Sequence, residues 1–244
     1  MAVRDDENIL APAGQDGERA DRSPITLSEK AFRILRQQIL NGDIPPGGKL
    51  RIEVLQREHA LSSSPLREAL NRLVAERLVI ADDHRGFRAA PMSSADLNDL
   101  TSFRLVAEPA ALSQSIANGS DEWEARIVAA FHRLERVRER ITRGEITFNA
   151  EWTGRHKEFH MALISGAASA RLVVTCSNLF DESERYRRFS AMNRTEVRDT
   201  SSEHRRLMET AISHQAELSA ALLREHITLT AQTTLALRKS KNLD

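Results

Sequence analysis

Leu61-Ser-Ser-Ser-Pro-Leu-Arg-Glu-Ala-Leu-Asn-Arg-Leu-Val-Ala-Glu-Arg-Leu78 sets the reading of the whole chain. Leu66, Ala69, Leu70, Leu73 and Val74 recur at helical spacing, so one face of a helix here is buried. Ser63, Ser64, Arg67 and Asn71 fall on other faces. Short polar groups beside an arginine are the chemistry that meets phosphates and base edges. Ser62 or Ser64 can cap the helix, and Pro65 in its first turn costs no intrahelical hydrogen bond. The positive end of the helix then coincides with a small polar turn, which suits an approaching anion. Taken alone, the pattern also describes an ordinary amphipathic helix; its flanks decide.

Upstream, Thr26 and Glu29 stand at capping-box spacing ahead of an i+4 row, Leu27, Ala31, Leu35 and Ile39, which stops at Asn41-Gly42. Residues 43–48 form a turn, Lys49-Leu-Arg51 suits a very short strand, and 52–60 suits a short helix with Val54 and Leu55 inward. A turn of three or four residues then leads into the helix quoted above, which is helix-turn-helix geometry. Downstream, Leu78-Val-Ile80 and Phe87-Arg-Ala-Ala90 flank the turn Asp82-Asp-His-Arg-Gly86, the pattern of a hairpin. A hairpin directly behind such a helix is a wing, and Arg85-Gly86 at its tip can reach a minor groove. Residues 1–25 are polar, acidic and punctuated by glycine and proline, so a disordered leader is expected there.

These blocks carry a family resemblance. Gly42-Asp-Ile-Pro-Pro-Gly-Gly-Lys-Leu50, Ser64-Pro-Leu-Arg-Glu-Ala-Leu-Asn-Arg-Leu73 and Arg85-Gly-Phe87 are similar, in order and spacing, to the winged-helix domain of GntR-type transcription regulators. The resemblance places a DNA-binding domain at residues 26–91 and implies contacts from Ser62, Ser63, Ser64, Arg67, Asn71, Arg85 and Gly86. Relatives usually read Ser-Arg-Thr-Pro where this chain has Ser62-Ser-Ser-Pro65. Ser63 therefore stands in place of the family's guanine-reading arginine, while Arg67 matches its second DNA-contacting arginine. The departure bears on operator sequence rather than on DNA binding itself.

Beyond Pro91 the strand signals cease. Helices are expected from Ser93 to Ala117, from Asp121 to about Arg140, and over 147–167, 171–189, 195–213 and 217–237, with Ser169 and Asn193 in the breaks. The predicted fold is therefore mainly α: a winged helix-turn-helix followed by an all-α bundle at residues 92–240. His156 and His160 are one turn apart and can grip one metal, while His204 and His226 lie mid-helix further on. The alternative is coincidence on polar faces. His156-Lys-Glu-Phe-His160 fails as a zinc-protease helix, because that motif needs glutamate directly after the first histidine and here Lys157 occupies the place. The inverted order fails at Phe159.

This half resembles the FCD ligand-binding domain of the FadR branch of the same family, through Arg104-Leu-Val-Ala-Glu108, Phe159-His160, Glu203-His204 and His226. In metal-binding members the counterparts of His160, His204 and His226 hold a zinc or similar ion, with an aspartate or asparagine one turn before the first. Here that position is His156. Four neutral imidazoles leave a divalent site at +2 rather than +1, which favours a more strongly anionic ligand. Zinc is the expected ion, although imidazole also accepts nickel, cobalt or iron. Arg104 lies where the family often clamps an effector carboxylate, its alternative being an ion pair with Glu108; Tyr186 and Arg187 are expected on the same cavity.

Bulk properties exclude little. Lysine plus arginine and aspartate plus glutamate number 35 each, and residues 26–90 hold only three more basic than acidic groups, so charge does not identify the partner. The single cysteine, Cys176, excludes an internal disulfide and fits a reducing cytoplasm. No apolar run reaches the ~18 residues of a membrane helix, and the start lacks a signal-peptide pattern. The expectation is a soluble cytoplasmic regulator rather than an enzyme. It is read as a homodimeric repressor of a palindromic double-stranded operator, controlled by a small carboxylate effector at a metal site. The rivals are a direct metal-ion sensor and a metal-dependent hydrolase, which would need an acidic general base.

Overall fold

The computed structural model describes residues 25–82, 86–146, 149–193 and 199–243. The expected leader up to residue 24, Arg85 of the wing tip, and the expected helix starts at Thr147 and Thr195 lie outside the described residues. Among the described residues there are nine helices and three short strands.

The N-terminal part is built from α1 (Leu27–Asn41), β1 (Lys49–Leu50), α2 (Ile52–His59), α3 (Ser63–Ala75), β2 (Val79–Asp82) and β3 (Gly86–Ala89). The hydroxyl of Thr26 accepts the Glu29 amide at 3.1 Å and starts α1, and Gly42, at φ 81°, ends it in the left-handed conformation that costs glycine nothing. Ala31, Leu35 and Ile39 are buried as the row predicts, but Leu27, one residue after the cap, is 58% exposed. In α2 the inward pair is Ile52 and Leu55, one turn apart, with Val54 only half-buried. Helix α3 hides Leu66, Ala69, Leu70 and Leu73 completely. Its cap residue is Ser62, whose side chain makes no capping bond. Strand β3 lies between β1 and β2, antiparallel to both, with Leu50 opposite Phe87 and Ile80 opposite Arg88. The small sheet closes a core made solely of aliphatic side chains and alanines, with Phe32 and Phe87 at its edge.

The C-terminal part is all helical: α4 (Ser94–Ala117), α5 (Asp121–Thr142), α6 (Ala150–Ile164), α7 (Ala170–Asn193), α8 (Thr200–Ile212) and α9 (Ala216–Ser240). Ser93, Ser120, Asn149 and Asp199 each accept the amide three residues on, and so fix where α4, α5, α6 and α8 begin. Among the described residues α6 begins at Ala150 and α8 at Thr200, each directly behind its cap. Helix α7 runs on through Asn193, which the sequence placed in a break; the Asn193 amide donates back to the Phe189 carbonyl at 2.7 Å. Helix α4 packs along α9 and α7, and Trp123, Ile127, Phe131 and Leu134 of α5 point into the shared core.

The two parts touch through α7. Asp181 accepts Arg36 of α1 at 2.5 Å, Arg185 donates to the Ala90 carbonyl at 2.5 Å, and the Tyr186 hydroxyl donates to Asp96 at 2.5 Å.

Candidate functional site

Helix α6 presents His156 and His160 one turn apart, α8 presents His204 and α9 presents His226. All four are buried, and one ligand atom from each lies within 4.8 Å of all the others. The Nε2 atoms of His156 and His160 face each other at 3.1 Å. Burial, followed by the neighbouring imidazoles and the charge of Arg187, holds His156 and His160 well below the ordinary imidazole value. They are therefore neutral lone-pair donors, the form a metal requires. The rings are locked by aromatic packing. Trp152 stacks on His156 at 4.6 Å with a 21° tilt, and Phe180 lies 5.3 Å and 5.2 Å from the rings of His156 and His160. The Nδ1 of His226 bonds Glu203 at 2.7 Å, which turns its Nε2 toward the group. The Nδ1 of His156 is buried without a hydrogen-bond partner.

Beside the histidines is a cavity of ≈ 50 Å³, lined by Trp152, Arg187, Ser190, Thr200, Thr230 and Thr233 together with His156, His204 and His226. Arg187 is on its wall as expected from the sequence. Its guanidinium is held by Glu184 at 2.7 Å, the Phe180 carbonyl at 2.6 Å and the Ser183 hydroxyl, and it lies 3.8 Å above the Phe180 ring. Thr153 in turn donates to Glu184 at 3.0 Å. The other two residues assigned to the effector are placed differently. Arg104 does not line this cavity; it forms the alternative pair, Nε to Glu108 at 2.6 Å and Nη2 at 3.3 Å, because both are buried one turn apart with opposite charges. Tyr186 lines a separate cleft of ≈ 450 Å³ between the two parts of the chain, since its position on α7 is turned from that of Arg187 by one residue, about 100°.

Ser62, Ser63, Ser64, Arg67, Asn71 and Gly86 are all exposed. Ser63, Arg67 and Asn71 form an i, i+4, i+8 line along α3, beside the face of the buried leucines. No acid among the described residues pairs with Arg67, whereas Arg72 on the same helix is tied to Glu29 at 2.9 Å and rests on the Phe32 ring.

Sequence reasoning missed Trp152, Glu184 and the three threonines. The signals were present: Trp152 precedes His156 by one turn, Thr230 follows His226 by one turn, and Glu184 precedes Arg187 by three residues.

Comparisons with known proteins match both parts of the chain. Residues 27–88 match the profile described as "Bacterial regulatory proteins, gntR family", and residues 99–229 match the FCD domain. The HTH-type transcriptional regulator BphR of Paraburkholderia xenovorans (strain LB400) is 40% identical over 220 residues, 88% of this chain and 90% of that protein. The HTH-type transcriptional repressor GlaR of Escherichia coli (strain K12) is 35% identical over 200 residues, 80% of this chain and 90% of its own. Among solved structures, E. coli McbR/YncC shares the fold at a TM-score of 0.70 and 18% identity, covering 90% of this chain and 100% of that one. With a winged helix in front and an FCD domain behind it, the chain belongs to the GntR family of bacterial regulators, DNA-binding proteins that control transcription.

Proposed function

We propose that this regulator is a homodimeric repressor of a palindromic operator in double-stranded DNA. A small carboxylate would control it, bound together with a divalent ion, zinc above all, at His156, His160, His204 and His226. The observation that carries the reading is the convergence of four buried imidazoles, three of which line one small cavity. The donor set fits the ion. Zinc–nitrogen distances of about 2.0–2.1 Å require tetrahedral ligand atoms roughly 3.3 Å apart, and the His156–His160 nitrogens stand at 3.1 Å. A divalent ion supplies Lewis-acidic positive charge at which an anion is held.

The chain's own groups define what that anion can be. A cavity of ≈ 50 Å³ accommodates a carboxylate head and little more, since one ordered water alone occupies ~10–15 Å³ by the same measure. Arg187 lends positive charge and the Thr200 hydroxyl can donate a hydrogen bond, while the hydroxyls of Thr230 and Thr233 already donate to the carbonyls of His226 and Leu229. Helix α7 is the route to DNA. Phe180, Glu184 and Arg187 face the histidine side, while Asp181, Arg185 and Tyr186 hold α1, the linker carbonyl of Ala90 and Asp96. Control then requires that the effector bind two placements of the winged helices with different affinity.

A hydrolase reading needs a free acidic general base, and the acids around the histidines among the described residues are engaged. Glu203, Glu184 and Glu108 are bonded to His226, Arg187 and Arg104 respectively. The direct metal-sensor reading has one observation in its favour, since four imidazoles alone complete a tetrahedral shell. Titrating operator affinity with zinc alone, and then with zinc plus small carboxylic acids, separates the two. Release of DNA only when acid is added supports the effector reading; release by the ion alone supports the sensor.

A further inference from the structure

The four imidazoles are not held equally. The His226 ring is gripped on its outer side, with Nδ1 2.7 Å from Glu203 Oε2, whereas the outer nitrogen of His156 is buried with no partner. Glu203 sits beside His204 on α8 and reaches across to α9, so one carboxylate ties together the two helices that carry the last two histidines. A neutral imidazole carries one N–H. Donating it from Nδ1 to a carboxylate leaves the lone pair on Nε2 and makes that nitrogen a better donor. The four metal-facing groups include no acid, and Glu203 is a carboxylate bonded directly to one of them.

We infer that Glu203 is the positioning residue of the metal centre: it fixes the His226 tautomer and supplies, one layer out, the negative charge that His156 does not. This rests on the metal reading above. Removing Glu203 leaves His226 free to rotate and to take the other tautomer, and loss of such an outer-layer partner typically weakens metal binding by ~10–100-fold. Glu203→Gln retains a carbonyl that accepts the Nδ1–H and loses only the charge, so its loss is smaller.

The test uses the full-length protein stripped of metal, with zinc alone as the probe and affinity read by competition with a chromophoric chelator. Glu158→Ala is the control, because Glu158 lies on α6 two residues from His160 yet pairs with Arg133 and Arg155 instead. The expected order of zinc affinity is wild type equal to Glu158→Ala, then Glu203→Gln, then Glu203→Ala, with thermal unfolding of the metal-free Gln variant unchanged. Wild-type zinc affinity in Glu203→Ala overturns the inference while leaving the metal reading intact. An equal loss in Glu158→Ala overturns it too, since any nearby acid would then serve. A wild-type protein that binds no zinc removes both.

Discussion

The two halves of the chain use their interiors in opposite ways. The winged-helix part buries only aliphatic residues and alanines, and keeps its polar chemistry on the exposed line of Ser63, Arg67 and Asn71. The FCD part brings polar groups inside: the ion pairs of Arg104 with Glu108 and Arg187 with Glu184, and four histidines, all less than a tenth exposed. A DNA reader meets its partner at a surface, so its core need only hold the surface still. The proposed ligand site must surround its ligand, and a dry cavity strengthens each electrostatic contact while making an unpaired charge costly. The contrast predicts that polar substitutions cost stability in one half and affinity in the other.

The largest effect should come from Glu184→Ala. It leaves the Arg187 guanidinium buried without its carboxylate, and breaking such a pair costs ~3–5 kcal/mol. Chemical denaturation followed by circular dichroism measures it; a loss under 1 kcal/mol would show that water already reaches Arg187. Next is Arg67→Ala, which touches no core residue. It should lower operator affinity by ~1–3 kcal/mol per protomer while leaving the melting temperature in place. Mobility-shift titration checks the first part and calorimetry the second. Wild-type affinity would remove Arg67 from the DNA interface. Ser63→Arg should reorder operator preferences, and an unchanged ranking would mean that residue 63 does not face the bases.

The contrast also explains what the sequence revealed. The winged helix was legible because its signals are local: a capping box at Thr26, a glycine stop at Gly42, an apolar face on α3 and a turn closed by Gly86. The histidines were legible through one i,i+4 pair and a family resemblance. What could not be read were partners that only tertiary packing brings together. Nothing local places Glu203 against His226, 23 residues on, or Tyr186 against Asp96, 90 residues back. The pairing of Arg104 follows from burial, since an arginine in a dry core binds the acid one turn away.

A smaller change tests the electrostatics of the cavity. His156→Asp should keep the ion and lower the charge by one, weakening an anionic effector by about 1 kcal/mol under water-like screening and more in a dry cavity. Calorimetric titration of the acid into both zinc-loaded proteins measures it, and equal affinity would mean His156 does not set the site's charge. The smallest effect lies on the FCD surface. His214 donates to Glu124 at 2.7 Å and to the Ile116 carbonyl at 3.1 Å, and these bonds, Glu124 first, raise its pKa above the ordinary 6.5. Its contribution is fully present below the unfolded value and fades as pH rises through the raised folded one. His214→Asn, which tolerates the left-handed backbone at φ 54°, should flatten stability between pH 6 and 8. A melting-temperature profile unchanged from wild type would remove the ion pair from the account.

The central claim is that ligand binding at the buried histidines governs DNA binding by the exposed line of Ser63, Arg67 and Asn71. It is tested most directly by operator affinity, measured by fluorescence anisotropy with zinc-loaded wild type and His204→Ala across a panel of small carboxylic acids. The account predicts that at least one acid releases wild type from DNA, and that His204→Ala binds the operator equally well without acid but no longer responds. An acid that releases both proteins equally would contradict it.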